Sequence, residues 1–494
     1  MSSDKDKPDY KSPAYEAHEP DWELVDVLVE GTKALRLHAD SSKLDLLPQF
    51  PAEHEDVYQD RVKVATLYPA YKDTLDGMIG TVFRKPPTLG KDVPKSIADA
   101  WENIDLGGTH WTVFAAQFLR DCLHYGTGAI LVDAPATKAT DRQTEQANGV
   151  RPYVVRYDAD DIYSWRYVVI NGKRTLQQIV LHEETCVPDG MFAEKEVERF
   201  RIWTLPVDIA SGRPQIIGKA QWQLFEKQEK KEKEGGAKTE FILIGEGISA
   251  QDEIPVVVYG DLDEACPVLL DLAYLNICLA QKRSDFDSSL HIVGVPQPYA
   301  IGRSKEATSV AWGKSTLIDL EDGGALGYAE PTGAGLEMMR TDMNDIKAEM
   351  RDMGLALALE GSADVAQTAT EQFFQAGKRS SRLSQIVQSV HDCLEECLYF
   401  HAAYYGEKSG GSITMGAGAD ELILSVEELR VLSDMADRDQ LDIKTVWAMM
   451  LKAGKLPDDF DIELQYAERQ KRQENILASD QAARQSTPMV GQAA

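Results

Sequence analysis

No stretch of the 494 residues comes near the ~18 consecutive apolar side chains that a membrane-spanning helix needs. The opening MSSDKDKPDYKSP is hydrophilic and lacks the apolar centre of a secretory signal, so the expectation is a protein made and kept in a cytoplasm, with no membrane partner. Cysteine is scarce. Cys122, Cys186, Cys266, Cys278, Cys393 and Cys397 are scattered without a CxxC pair, which argues against a disulfide framework and leaves them as small, reduced hydrophobes. Positive charge is also short: 52 Lys and Arg stand against 81 Asp and Glu, a net charge of −29. Sequence-independent affinity for nucleic acid rests on cations neutralising phosphates, so that class is disfavoured. A surface that DNA passes without sticking remains open, and ordinary solubility accounts for the same charge.

Catalytic signatures are missing as well. GEGISA (Gly245, Gly247, Ala250) mimics a dinucleotide fingerprint after the strand-like EFILI, but Pro255 and another strand arrive where a phosphate-facing helix is required. WGKST at 312–316 echoes the end of a phosphate loop, yet Thr308 occupies the position of the first glycine. HEETC at 182–186 is not HExxH and falls among strands, so His182, Glu183 and Glu184 read as a solvent-facing strand end. Cys393, Cys397 and His401 repeat at every fourth residue of one helix; the outer two are ~12 Å apart along its axis, so a core stripe is expected rather than three ligands on one ion. The expectation is a chain with no enzymatic activity, no metal and no cofactor.

Hydrophobic residues (43%) and charged residues (27%) stand at ordinary globular levels, and the length allows about two to four folding units. Residues 1–57 read as an N-terminal arm, its first 20 residues mobile. A helix is predicted from Tyr58 to Val82, stopped by Pro86 and Pro87, and a second one is capped by Thr109 and ends at Gly126. Residues 151–260 turn β-rich, with RPYVVRYD, YSWRYVVI, LQQIVLHEE, ERFRIWTL, AQWQLF, EFILI and IPVVVYG as short strands and Asn171–Gly172 as a hairpin turn. EKQEKKEKEGG, with four Lys against four Glu in residues 226–234, reads as a solvated hairpin tip.

After Pro267 the period changes. Leu272, Leu275, Leu279, Phe286 and Leu290 mark a helix over 267–292, with one missed step near Lys282. Gly- and Pro-rich short strands follow over 293–334. Leu336, Met339, Met343, Ile346, Met350, Met353 and Leu357 then alternate by threes and fours, a narrow seam on a helix over 335–357. The small and polar segment 358–369 separates this helix from a longer one over 370–405, whose stripe includes Leu383, Ile386, Val390, Leu394, Cys397 and His401. ELILSVEEL is a last strand in 406–430, short helices occupy 431–477, and 478–494 has no apolar period and reads as disordered. The seam pairs either with the Leu stripe of 267–292 within one chain, or with neighbouring copies in a ring.

YKDTLDGMIGTVFRKPP, FLRDCLHYGTGAILVDAP, the run from IPVVVYGDLDEACPVLL through HIVGVPQP, and GSADVAQTATEQFF with its following helix resemble, in order, stretches of tailed-bacteriophage portal proteins, the head-tail connector family. The resemblance covers roughly residues 58–430; these are family-like patterns rather than a short invariant signature. It implies an α+β fold with a mixed wing (58–266), stem helices at 267–292 and 335–357 flanking a β-rich clip (293–334), a channel loop (358–369), a long wing helix (370–405) and a short crown-like C-terminal region. Glu360, Gly361, Ser362, Ala363, Asp364 and Thr368 would line the channel, where Gly361 gives the backbone freedom and the two acids repel DNA. Leu272, Leu275, Leu279, Phe286, Leu336, Met339, Met343, Ile346, Met350 and Met353 would pack stem and subunits, while Trp312 and Tyr328 either meet partners or pack within the clip.

By the same resemblance the chain would form a dodecameric ring at one capsid vertex of a virion assembled in a bacterial cytoplasm. DNA would be packaged and ejected through it without sequence specificity. It would meet the terminase large subunit (the packaging ATPase), adaptor and tail proteins, and capsid and scaffolding proteins. The alternative is a non-viral scaffold protein whose protruding helical pair docks a partner.

Overall fold

Ser12 and Pro13 start the first surprise. The Ser12 hydroxyl accepts from the Tyr15 amide at 3.1 Å, and Pro13 stands where a helix has no use for its N–H, so a helix begins here. This α1 (Pro13–Glu30) buries Tyr15, Trp22, Val25 and Leu28. The expected arm is therefore part of the core, because its apolar residues fall on one helical face that the polar residues between them conceal in a linear reading. The computed structural model describes residues 4–41, 43–135, 150–208, 213–231, 237–294, 297–303, 320–329, 333–355, 369–415, 442–452, 456 and 460–471.

The chain divides into two units: residues 1–358 with 386–415, and residues 359–385 with 416–494. In the first, α1 is followed by α2 (Thr32–Leu37), α3 (Glu55–Val64), α4 (Ala70–Val82), the short α5 (Lys95–Ala98) and α6 (Trp111–Tyr125). The single helix expected over 58–82 is thus two helices. Pro69 lacks an amide donor and forces Tyr68 toward extended backbone, which breaks the helical run although its apolar spacing continues. Thr109 is not the cap of α6; His110 is, its Nδ1 accepting from the Thr112 amide at 3.0 Å. Gly126 ends α6 at φ +78°, and a Cβ there would lie 2.0 Å from the Cys266 carbonyl oxygen, so no other residue fits.

Five antiparallel strands make the main sheet, ordered β10-β9-β6-β5-β4: β4 (Ile162–Ile170), β5 (Lys173–Asp189), β6 (Ala193–Thr204), β9 (Gln221–Lys231) and β10 (Ala237–Ile248). Asn171 and Gly172 both have positive φ in the β4–β5 turn, as a two-residue hairpin demands. The balanced charge run does not wait for the β9–β10 tip: Glu226 to Lys231 already lie in β9. A smaller sheet, β11-β2-β3, joins β2 (Gly128–Asp133), β3 (Tyr153–Tyr157) and β11 (Val256–Tyr259). Minor pairs are β1 (Thr88–Leu89) with β14 (Ile413–Thr414), and β7 (Val207–Asp208) with β8 (Gln215–Ile216).

Helix α7 (Leu270–Gly294), hairpin strands β12 (Gln297–Arg303) and β13 (Leu320–Ala329), helix α8 (Ala334–Met350) and helix α9 (Ala369–Tyr404) complete this order; α9 from Ile386 onward belongs to the first unit. The fold is α+β. In the second unit, α10 (Ile443–Lys452) and a helix over 462–471 are each started by an aspartate: Asp442 accepts from the Lys444 amide, and Asp461 from those of Glu463 and Leu464. Trp447 meets Phe460 edge-on at 5.8 Å. The strand read at 421–429 and the tail 478–494 lie outside the described residues.

Candidate functional site

Pro267 initiates α7, whose Leu270 amide bonds back to the Pro267 carbonyl at 3.2 Å. One face of α7 buries Leu272, Ala273, Ile277, Leu279 and Ala280. Two polar residues on the buried side fasten neighbouring helices. Asn276 accepts from the Tyr71 amide at 3.0 Å and donates to the Tyr68 carbonyl at 2.9 Å, which supplies the capping partner that Pro69 cannot give α4. Ser284 accepts from Arg61 at 3.2 Å; the same guanidinium holds Glu53 with two bonds of 2.9 Å and donates to the Pro48 carbonyl. The missed apolar step at Lys282 has a reason: its ammonium pairs with Asp342 of α8 at 2.5 Å, clipping the two helices together.

α8 runs back along α7, with Met343, Ile346 and Met350 buried and Leu336 and Met339 half-buried. Leu275 and Phe286 of α7 are half-buried, whereas Leu290 and Met353 are exposed. The fully buried part of the seam is thus consumed within one chain. Regular α-helix stops at Met350, short of the expected 357, and a wider π turn covers Arg351–Leu355. Glu360, Gly361, Ser362, Ala363, Asp364 and Thr368 lie outside the described residues, as do Leu357 and Trp312. Tyr328 stands opposite Pro298 in the β12–β13 ladder. An aromatic that the sequence reading passed over is Tyr299, 48% exposed, whose ring covers Gly327: a Cβ there would fall 2.7 Å from its hydroxyl. The alternation in PYAIG was the available signal.

The motifs set aside earlier find structural explanations. Gly245 and Gly247 make room for the Trp222 indole, which lies across β10; a Cβ at Gly247 would be 2.8 Å from Nε1. Cys393, Cys397 and His401 are buried, and burial beside Arg151 pushes the His401 imidazole down to about 4. Among the described residues, no group of three or more His, Cys, Asp or Glu is placed to hold a metal ion. No helix among them is long and apolar enough to cross a membrane.

The expectation of a solvent-facing strand end at His182–Glu184 fails for two of the three residues. His182 is 8% exposed, stacks on Tyr163 and meets Asp161 at 3.1 Å. Glu183 accepts from Arg201 at 2.6 Å and from the Tyr157 hydroxyl at 2.6 Å, and Arg201 reaches on to Asp133 at 2.9 Å. Burial, with Glu183 beside it, holds the Tyr157 phenol protonated well above its ordinary range. Only Glu184 faces solvent. This polar cluster joins the two sheets, and its groups are occupied with one another.

A family model described as a domain of unknown function (DUF4055) matches residues 268–405, the span from the start of α7 to the end of α9. No curated protein matches the chain. Among solved structures, a chain from the neck of an empty GTA particle computed with C6 symmetry is similar at 12% identity and TM-score 0.37, covering 79% of this chain and 90% of that one. Another, from the virion of a native gene transfer agent particle, is similar at 13% identity and TM-score 0.36, over 85% and 95% of the two chains. Likenesses at that level do not fix a common fold.

Proposed function

We propose that the chain is a ring-forming portal subunit of a phage-like virion, through which double-stranded DNA is packaged and released. One observation carries the reading: α7 and α8 form a packed helical pair that brackets a single hairpin, and a helix of 36 residues follows them. A ring subunit needs such a rigid pair beside its channel and a projecting hairpin for partners. The segment between α8 and α9 carries Glu360 and Asp364, whose charge, repeated around a ring, would keep DNA from adhering.

In this reading α7 and α8 are the stem, β12–β13 the clip, and residues 358–369 the channel loop. The chain hydrolyses nothing itself; the ATP chemistry belongs to a docked packaging ATPase, the terminase large subunit. The clip, with Tyr299, Trp312 and Tyr328, faces the motor, then adaptor and tail proteins. Capsid and scaffolding proteins meet the outside of the ring at one vertex, and assembly takes place in a bacterial cytoplasm.

The second reading is a non-viral scaffold protein. The burial of Met343, Ile346 and Met350 within one chain favours it, since that seam needs no neighbour to cover it. Negative-stain electron microscopy with native mass separates the two. Rings with a central hole and a mass near about twelve subunits are expected; a compact monomer that persists across concentration and salt would overturn the ring and favour the scaffold.

A further inference from the structure

Helix α1 is fastened along its length and hinged at one end. Gly31, with φ +89°, both ends α1 and starts α2; a Cβ there would meet nothing within 4 Å, so only the backbone bend calls for glycine. From that pivot the helix lies across elements distant in sequence. The Ser12 amide bonds to the Tyr163 carbonyl of β4 at 2.8 Å, Trp22 donates to the Tyr125 carbonyl of α6 at 3.2 Å, and Asp21 accepts from Tyr274 of α7 at 3.0 Å. The Tyr15 hydroxyl donates to the Asp160 carbonyl at 3.2 Å, in the 3-10 turn Ala159–Asp161 that leads into β4. α1 is thus a strap that ties the main sheet to α6 and α7.

The charges under the strap do not balance. Asp26 of α1 lies beside the Asp160 carboxyl, with Asp161 next to it in the turn. Each nearby cation already has a partner: Lys11 holds Glu19 at 2.7 Å, Lys43 holds Glu23, and Arg156 of β3 holds Asp121 of α6. His182 of β5 meets Asp161 at 3.1 Å, and His124 of α6 meets Asp26 at 2.9 Å. The Tyr125 hydroxyl also donates to Asp26, at 2.8 Å, and burial keeps the phenols of Tyr15 and Tyr163 neutral. Among the described residues no cation pairs with Asp160 itself. Two adjacent carboxyl groups repel when both are ionised, so one proton keeps their contact attractive and its loss opposes it. In keeping with that, burial, followed by Asp26 and Asp161, pushes Asp160 up to about 7. Asp158 is raised by burial, Asp161 and Asp121, not by any group on α1.

We propose that α1 is a pH-sensitive strap, docked while Asp26 and Asp160 share a proton and swung away about Gly31 when that proton is lost. Release uncovers the surfaces of α4, α6 and α7 against which α1 packs, and cuts its tie between the main sheet and α7. The sign follows from the two states. In the released chain Asp160 ionises near about 4, whereas the docked chain holds the proton to higher pH, so docking is strongest in acid and weakens as pH rises. The device stands whether or not the chain forms a ring.

Hydrogen–deuterium exchange of the full chain at about pH 6 and about pH 8.5, corrected for the intrinsic rise of exchange with pH, tests it. Protection of residues 13–30 should fall by about tenfold between the two, the ratio expected for an aspartate that ionises near about 7 when docked and about 4 when released. Protection of β2 should not change with it. Asp160→Asn should keep α1 docked at both pH values. Asp26→Asn should flatten the response too, since its amide donates to an ionised Asp160 while its oxygen still accepts from His124 and Tyr125. Unchanged protection of α1 in the wild type overturns the proposal. So does an equal loss in β2, which would mark opening of the whole unit, and so does a pH response that survives Asp160→Asn.

Discussion

Asp160 sits in the 3-10 turn Ala159–Asp161, facing α1: its carbonyl accepts from the Tyr15 hydroxyl at 3.2 Å, and Asp26 of α1 lies beside its carboxyl. Asp26 is itself engaged by His124 at 2.9 Å and by the Tyr125 hydroxyl at 2.8 Å. Burial, followed by Asp26 and Asp161, pushes Asp160 up to about 7; burial, followed by Asp161, Asp121 and Asp160, pushes Asp158 up to about 8. An unfolded aspartate ionises near about 4, so between there and pH 8 the folded chain holds protons that the unfolded chain has released. Stability from these groups is therefore greatest on the acid side and falls as pH rises through that window. His401, held down to about 4, opposes this trend only below its unfolded value near 6.5. Calorimetry from pH 6.5 to 9 should show the melting temperature falling in the wild type and falling less in Asp160→Asn, whose amide keeps a donor toward Asp26 without titrating. A flat or rising wild-type profile would refute the argument. YDADDIY displays the acids in sequence, but nothing in it reveals that a helix from residues 13–30 lies on top of them.

Helices were legible wherever periodicity and punctuation agreed. Pro267 and the steps from Leu272 located α7, and the stripe from Ile386 to His401 located α9, because a buried helical face imposes its own spacing on the chain. They misled where a backbone rule interrupted a continuing pattern, as at Pro69 between α3 and α4. The Met seam of α8 was legible as a seam, but its partner was not: spacing shows that a face is covered, never by which chain. Met343 and Met350 are covered within the chain, at 5% and 2% exposure. Replacing both with Asp should thus lower the melting temperature sharply even in monomeric protein, since each change buries an unpaired charge and costs several kcal/mol (~3–5). Unchanged melting with a lost oligomer would assign the seam to subunit packing instead.

For the whole molecule, the net charge of −29 and the helix–hairpin–helix–long helix order are the features on which the channel reading turns. A loop that only lines a lumen should be dispensable for assembly. Deleting residues 361–367 is expected to leave oligomer mass and melting unchanged while lowering retention of packaged DNA in particles assembled with the variant. Loss of the oligomer on deletion would show that the segment builds the assembly rather than lining its channel.

By itself the sequence determined the alternation of helix-rich and strand-rich regions and the bounds of α7 and α9 to within a few residues. These are local consequences of side-chain period, proline and glycine. Tertiary structure alone decided that residues 13–30 belong to the core, that Asn276 caps α4 from 205 positions away, and that His182 and Glu183 turn inward to Phe200 and Arg201 rather than outward. Each of these depends on partners distant in the chain, and a pairing between distant residues leaves no period in either segment to read.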